Sequence, residues 1–292
     1  MSGILTSEAA PAVREHALLQ AIIRNRFHVA ACATAGAWAW GSLLGCTPTA
    51  LDLVAVAAVV LCTYQWNRLT DRREDAVNCP DELAVSMSHR RAIETACLAL
   101  LAMVGAIVAI ERSPAKGAVL AASLLLAYGY GSGPRLKARL LLKNVSSSFG
   151  WTLLTVVYPA LGVLPLRSAA LWLAFFCMFG AVMVVELLWD LRDVAGDRAA
   201  GIRSLPVVAG NKATLAVLFV VNTIPALLVL LGIATHVLRV AWIFVLINTA
   251  LVSAVLIVFG DDFSGPRRRW THLLVIVQSL LLVGLGAVSH LV

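Results

Sequence analysis

Asn67, Asp71 and Asp75 stand at positions i, i+4 and i+8, and Asp190, Asp193 and Asp197 at i, i+3 and i+7. On a helix either spacing stacks oxygen-bearing side chains along one face. Carboxylates so placed repel one another unless a counter-charge joins them. Hard oxygen ligands in this number suit Mg²⁺, which keeps several waters and is held by one or two carboxylates together with substrate phosphates. Either cluster alone also reads as a solvated loop; two with matching periodicity and flanking arginines point to a site. The first lies in "WNRLTDRREDAVNCPDE", residues 66–82, beside Glu74, Asp81 and Glu82. Asp81 and Glu82 fall off the shared face and are expected to be dispensable.

A third stretch, "YGYGSGPRLKARLLLKN", residues 128–144, sets Arg135, Lys137 and Arg139 beside Tyr128 and Tyr130. It supplies the positive charge an anionic substrate would need, although each base alone also reads as an anchor at a membrane surface. Lys143, nearer the next apolar run, is expected to be a bystander.

The elements that must position these groups are membrane helices. The chain has 60% hydrophobic and 13% charged residues and a mean hydropathy of +0.88, far from soluble usage. Apolar runs near the length that spans a bilayer occur at 27–45, 50–66, 92–110, 115–130, 145–164, 168–189, 211–234, 237–259 and 271–291. The runs are continuous rather than alternating, which favours helices over a β-barrel. The expectation is an all-α, nine-span protein forming one domain over 1–292, with a polar N-terminal segment at 1–26. With that segment cytoplasmic, 19 of the 23 Lys and Arg residues fall on the cytoplasmic side, among them Arg14, Arg24 and Arg26. Both acidic clusters then face the cytoplasm.

The polar, charged first 26 residues give no sign of a cleavable signal peptide. The six cysteines show neither metal nor redox spacing. The net charge of +7 is explained by basic residues bordering helices, where anionic lipid head groups lie, and not by nucleic acid.

In order along the chain come N-x-x-x-D-x-x-x-D after the second run (Asn67, Asp71, Asp75), Tyr130 with R-L-K after the fourth (Arg135, Lys137), and D-x-x-D-x-x-x-D followed by G-I-R-x-L-P after the sixth (Asp190, Asp193, Asp197, Gly201 to Pro206). Three ordered motifs over nearly the whole chain resemble the UbiA-type intramembrane prenyltransferases. The resemblance implies a helical barrel with a lipid-open chamber and a polar cytoplasmic cap, where two Mg²⁺ ions and the acidic motifs hold a prenyl diphosphate. In this reading Asp71, Asp75, Asp190, Asp197 and Lys137 are catalytic. Asn67, the three aspartates of the second motif, Asp71 and Asp75 hold metal, and Asn67, Arg72, Tyr128, Tyr130, Arg135, Lys137, Arg139 and Arg203 bind substrate. Heterolysis of the allylic C–O bond puts charge on the departing diphosphate, so cations there stabilise the transition state. The allyl cation needs a dry aromatic wall, for which Trp38, Trp40, Trp66, Phe149, Trp151, Tyr158 and Trp189 are candidates.

Two departures bear on the acceptor. Arg68 follows Asn67 where many members carry Asp, and "NCPDELAVSMSHRR" is acidic where a basic element is usual. The expected reaction is prenyl transfer to an aromatic or other lipophilic acceptor. A terpene cyclase of the same superfamily, needing no acceptor, is an alternative. An ion-coupled transporter is another, disfavoured because the acids gather at one membrane face and no inverted repeat is evident.

Overall fold

The computed structural model describes residues 21–260, 262–263 and 267–289. Arg14, most of the expected polar N-terminal segment and the last residues of the 271–291 run lie outside them. Among the described residues the main helices are, in order, α1 Phe27–Leu43, α2 Ala50–Thr70, α3 Arg72–Asn78, α4 Pro80–Ser88, α5 Arg90–Glu111, α6 Pro114–Gly131, α7 Leu142–Thr152, α8 Ala169–Ala199, α9 Leu205–Ala209, α10 Asn211–Ala234, α11 Phe244–Phe259 and α12 Arg268–Val288. No strand occurs among the described residues. Successive long helices pack side by side, α12 returns onto α1, and α5 lies against α2. The result is a closed ring around a central chamber.

Each of the nine expected runs falls on a helix, but among the described residues six segments are both long and apolar enough to cross a bilayer: Ala50–Thr70, Arg90–Glu111, Ala169–Ala199, Asn211–Ala234, Val240–Phe259 and Arg268–Ala287. The other three depart for physical reasons. Helix α1 has 17 residues, short of a full span. Helix α6 is 18 residues long and ends in the polar Tyr130 turn. Helix α7 turns Lys143, Asn144, Ser146 and Ser148 inward and is not continuous through 145–164. It passes into a wider turn at Leu153–Val157 and stops at Ala160. Pro159 explains the break, since its ring would strike the carbonyl four residues back in a regular helix.

Charge is handled differently at the two ends of the bundle. At the start of α2, Thr49 and Asp52 form a reciprocal cap. The same Asp52 receives Lys116 at 2.5 Å, Lys116 lies 3.3 Å from Glu111, and Tyr158 donates to Glu111 at 3.2 Å. Every carboxylate here has a partner, and the cluster pins α2, α5, α6 and the end of α7 together. At the other end α3 packs on α8, which brings the two acidic motifs face to face.

Candidate active site

Asn67 and Asp71 close the last turn of α2, and Asp75 lies in α3. The expected single helix is interrupted at Asp71 (φ −85°, ψ 30°), yet the i, i+4 bonding runs through: Asp71 N donates to Asn67 O at 2.8 Å and Asp75 N to Asp71 O at 2.9 Å. The three side chains therefore still share the chamber wall. The second ladder is as expected, because α8 continues as one 31-residue helix past the apolar run and carries Asp190, Asp193 and Asp197.

Gly196 and Asn78 hold the arms together. Asn78 Oδ1 accepts from Gly196 N at 3.0 Å, and its amide donates to Asp193 O at 3.4 Å. A Cβ on Gly196 would lie 2.6 Å from Glu74 O. Only a bare backbone lets α3 approach so closely.

Each arm is bridged by one lysine. Lys137, 2% exposed, lies 2.5 Å from both Asp71 Oδ1 and Glu74 Oε1. Lys143 lies 2.7 Å from Asp190 Oδ1 and 2.9 Å from Asp197 Oδ2, and Asn144 donates to Asp190 Oδ2 at 2.9 Å. Lys143 is thus no bystander, contrary to the sequence expectation. The inward face of α7 delivers its ammonium to the centre of the second ladder. Asp193 takes Arg192 at 2.6 Å and Arg268 at 2.5 Å. Burial, reinforced by the neighbouring Asp71 charge, pushes the Asp75 carboxyl up to about 6. Burial also raises Asp71, against the pull of Lys137.

Of the other expected site residues, Tyr130 lines the chamber. Arg72, Tyr128, Arg139 and Arg203 are exposed and do not. Arg72 donates to Leu69 O at 3.1 Å, and Arg135 reaches only Glu74, at 3.9 Å. Glu74, Arg68 and Glu186 also line the chamber; sequence reasoning assigned no site role to either glutamate and marked Arg68 only as a departure from the motif. Arg68, 8% exposed, is held by Ser86 Oγ at 2.8 Å and Gln65 Oε1 at 2.9 Å, and among the described residues it makes no ion pair. A buried guanidinium inside an acidic motif was the available signal.

Deeper in, the chamber turns apolar. Tyr64, Trp151 and Trp189 border both its polar and its apolar parts, with Tyr64 edge-on to Trp151 at 6.5 Å and to Trp189 at 6.4 Å. Trp40 lines the apolar part, its ring 5.1 Å from that of Trp242. Trp66 instead bonds Ser132, Tyr158 is core, Phe149 is exposed against Phe175, and Trp38 packs beside Gly286.

The donor set fits a hard divalent cation. Asn67 Oδ1 is buried without a hydrogen-bond partner, and the paired carboxylates already hold cationic ammonium groups. No three acidic, His or Cys side chains converge into a cage among the described residues.

A ring of apolar helices with a charged mouth and an aromatic interior is the architecture of an intramembrane enzyme. The chain belongs to the UbiA prenyltransferase family, whose pattern matches residues 28–287. It is a prenyltransferase of the membrane. It is 32% identical over 244 residues to a digeranylgeranylglyceryl phosphate synthase of Methanopyrus kandleri, covering 80% of this chain and 84% of that one. It is 28% identical to the enzyme of the same name from Methanothermobacter thermautotrophicus over 81% and 85%. The fold matches a UbiA homologue of Archaeoglobus fulgidus bound to GPP and Mg²⁺ (TM-score 0.67, 18% identity, 93% and 99% coverage) and an apo UbiA homologue of Aeropyrum pernix (0.71, 16%, 91% and 98%). Transfer is thereby favoured over cyclisation or transport.

Proposed function

We propose that this enzyme ionises a prenyl diphosphate at the charged mouth and transfers the prenyl chain to the hydroxyl of a glyceryl phosphate lipid. The observation that carries the first part is the pair of buried lysines, Lys137 and Lys143, one bridging each acidic arm. As the allylic C–O bond breaks, its electron pair leaves with the diphosphate. Lys137 stabilises that charge in a site shielded from water, where such interactions are strongest. Asn67, Asp71 and Asp75 on one arm and Asp190 and Asp197 on the other would hold Mg²⁺, which would neutralise diphosphate charge when bound. Asp193, engaged by Arg192 and Arg268, would position that arm. Tyr64, Trp151 and Trp189 face the allyl cation with their ring electrons and keep water from it.

The expectation of an aromatic acceptor gives way to a phosphorylated one on two grounds. Both synthases named above carry glyceryl phosphate in their names. Arg68 and Arg26 line the chamber, Arg68 without a carboxylate partner and Arg26 with only Glu82 at 3.5 Å. Two guanidiniums suit a phosphate. The distribution of basic residues supports a cytoplasmic mouth and N-terminus.

The test is incubation of purified protein, Mg²⁺ and geranylgeranyl diphosphate with either a geranylgeranylglyceryl phosphate or para-hydroxybenzoate. Ether formation with the phosphorylated lipid is expected. Arg68→Met should raise the KM for that lipid and leave the KM for the diphosphate unchanged. Alkylation of the benzoate alone would refute the acceptor assignment.

A further inference from the structure

Glu186 lies outside both acidic motifs and makes none of the ion pairs that bridge them. It lies on α8 four residues before Asp190, about 6 Å further from the mouth at 1.5 Å per residue. It is buried, and it borders both the polar and the apolar parts of the chamber. Its one hydrogen bond is from Ser147 Oγ to Oε1 at 2.7 Å. Among the described residues it makes no ion pair, unlike Asp71, Asp190, Asp193 and Asp197. A buried carboxyl with no direct ion pair is costly, and this one lies one helical turn inside the charged mouth, where the polar part of the chamber meets the apolar part.

We propose that Glu186 is the general base that takes the proton from the attacking acceptor. The inference rests on the transferase reading above. As the C–O bond to the diphosphate breaks and its electron pair departs, an oxygen lone pair of the acceptor hydroxyl forms the new C–O bond. The hydroxyl proton passes to Glu186 Oε2. Ser147 is a positioning residue, turning that oxygen toward the chamber by bonding the other. A well-placed base contributes about 10²–10⁴-fold.

The experiment separates ionisation from transfer. Glu186→Gln keeps the shape and the Ser147 bond. With geranylgeranyl diphosphate and Mg²⁺ but no acceptor, its release of diphosphate and prenyl alcohol should stay within about twofold of wild type. With the acceptor that wild type uses, its ether formation should fall by about 10²-fold or more. Glu186→Ala should regain transfer on addition of formate, which a purely structural role would not allow. Wild-type transfer by Glu186→Gln would overturn the proposal. So would a parallel fall in ionisation and transfer, which would assign Glu186 to the cation or to the fold. Absence of transfer by the wild-type protein itself would instead refute the transferase reading.

Discussion

The ammonium of Lys143 lies 2.7 Å from Asp190 Oδ1, and both side chains are buried. Removing one partner of such a pair costs about 3–5 kcal/mol, because the other charge is left without compensation. Lys143→Met should therefore lower the melting temperature and abolish turnover. Added Mg²⁺ should restore stability to this variant more than to wild type, because the cation replaces the lost ammonium between Asp190 and Asp197. Thermal unfolding with and without Mg²⁺ checks this, and an unchanged melting temperature without metal would contradict it.

Gly196→Ala tests the joint between the arms. The added methyl would meet Glu74 O at 2.6 Å, so α3 must move away from α8. A misplacement of about 1 Å at a catalytic constellation costs about 10²-fold. The variant should fold and lose turnover, whereas Gly105→Ala, where a Cβ meets nothing within 4 Å, should behave as wild type. Equal activities would mean that the approach of α3 to α8 is unimportant.

The two acidic faces were legible in the sequence because helical spacing depends only on residue numbers. Their mutual docking was not, since it rests on Asn78 and Gly196, residue types with many other uses. Lys143 was misjudged for a related reason. Position along the chain placed it beside an apolar run, but α7 starts at Leu142 and turns Lys143 inward with Asn144 and Ser146. The basic loop was legible as a group and not by member. Lys137 points in, while Arg139, two residues on, is exposed, and the short turn at Leu136–Ala138 decides between them.

Asp75 predicts a pH dependence. Its carboxyl is raised to about 6 by burial and by Asp71, so below that value it binds a proton that a metal ion must displace. Mg²⁺ affinity should be weak below about 6 and level off well above it. Asp75→Asn should flatten the profile and weaken binding at the high end. Calorimetric titration of Mg²⁺ across this range checks it; a flat wild-type profile would exclude Asp75 as a ligand.

Trp40 lines the apolar part of the chamber, where it would limit the prenyl chain. It is 3% exposed and braced by Trp242 at 5.1 Å, so it cannot swing away to admit a longer chain. Trp40→Leu should move the optimum of kcat/KM to a longer prenyl diphosphate, at a stability cost below the about 3–5 kcal/mol typical of Trp→Ala in a core. Trp172→Leu, an exposed ring, should leave chain preference alone. An unchanged optimum in Trp40→Leu would place the limit elsewhere.

In the proposed reaction both acidic arms, with their lysines and a divalent cation, hold one diphosphate. Equilibrium binding of a prenyl thiolodiphosphate, which resists ionisation, measures this without any acceptor. Binding to the wild-type protein should require Mg²⁺ and vanish with a chelator. Asp71→Asn, Asp190→Asn and Lys137→Met should each weaken it by on the order of 30-fold or more, the equivalent of about 2 kcal/mol for a lost buried charge contact. Undiminished binding in the chelator, or wild-type affinity in variants of either arm, would contradict the account.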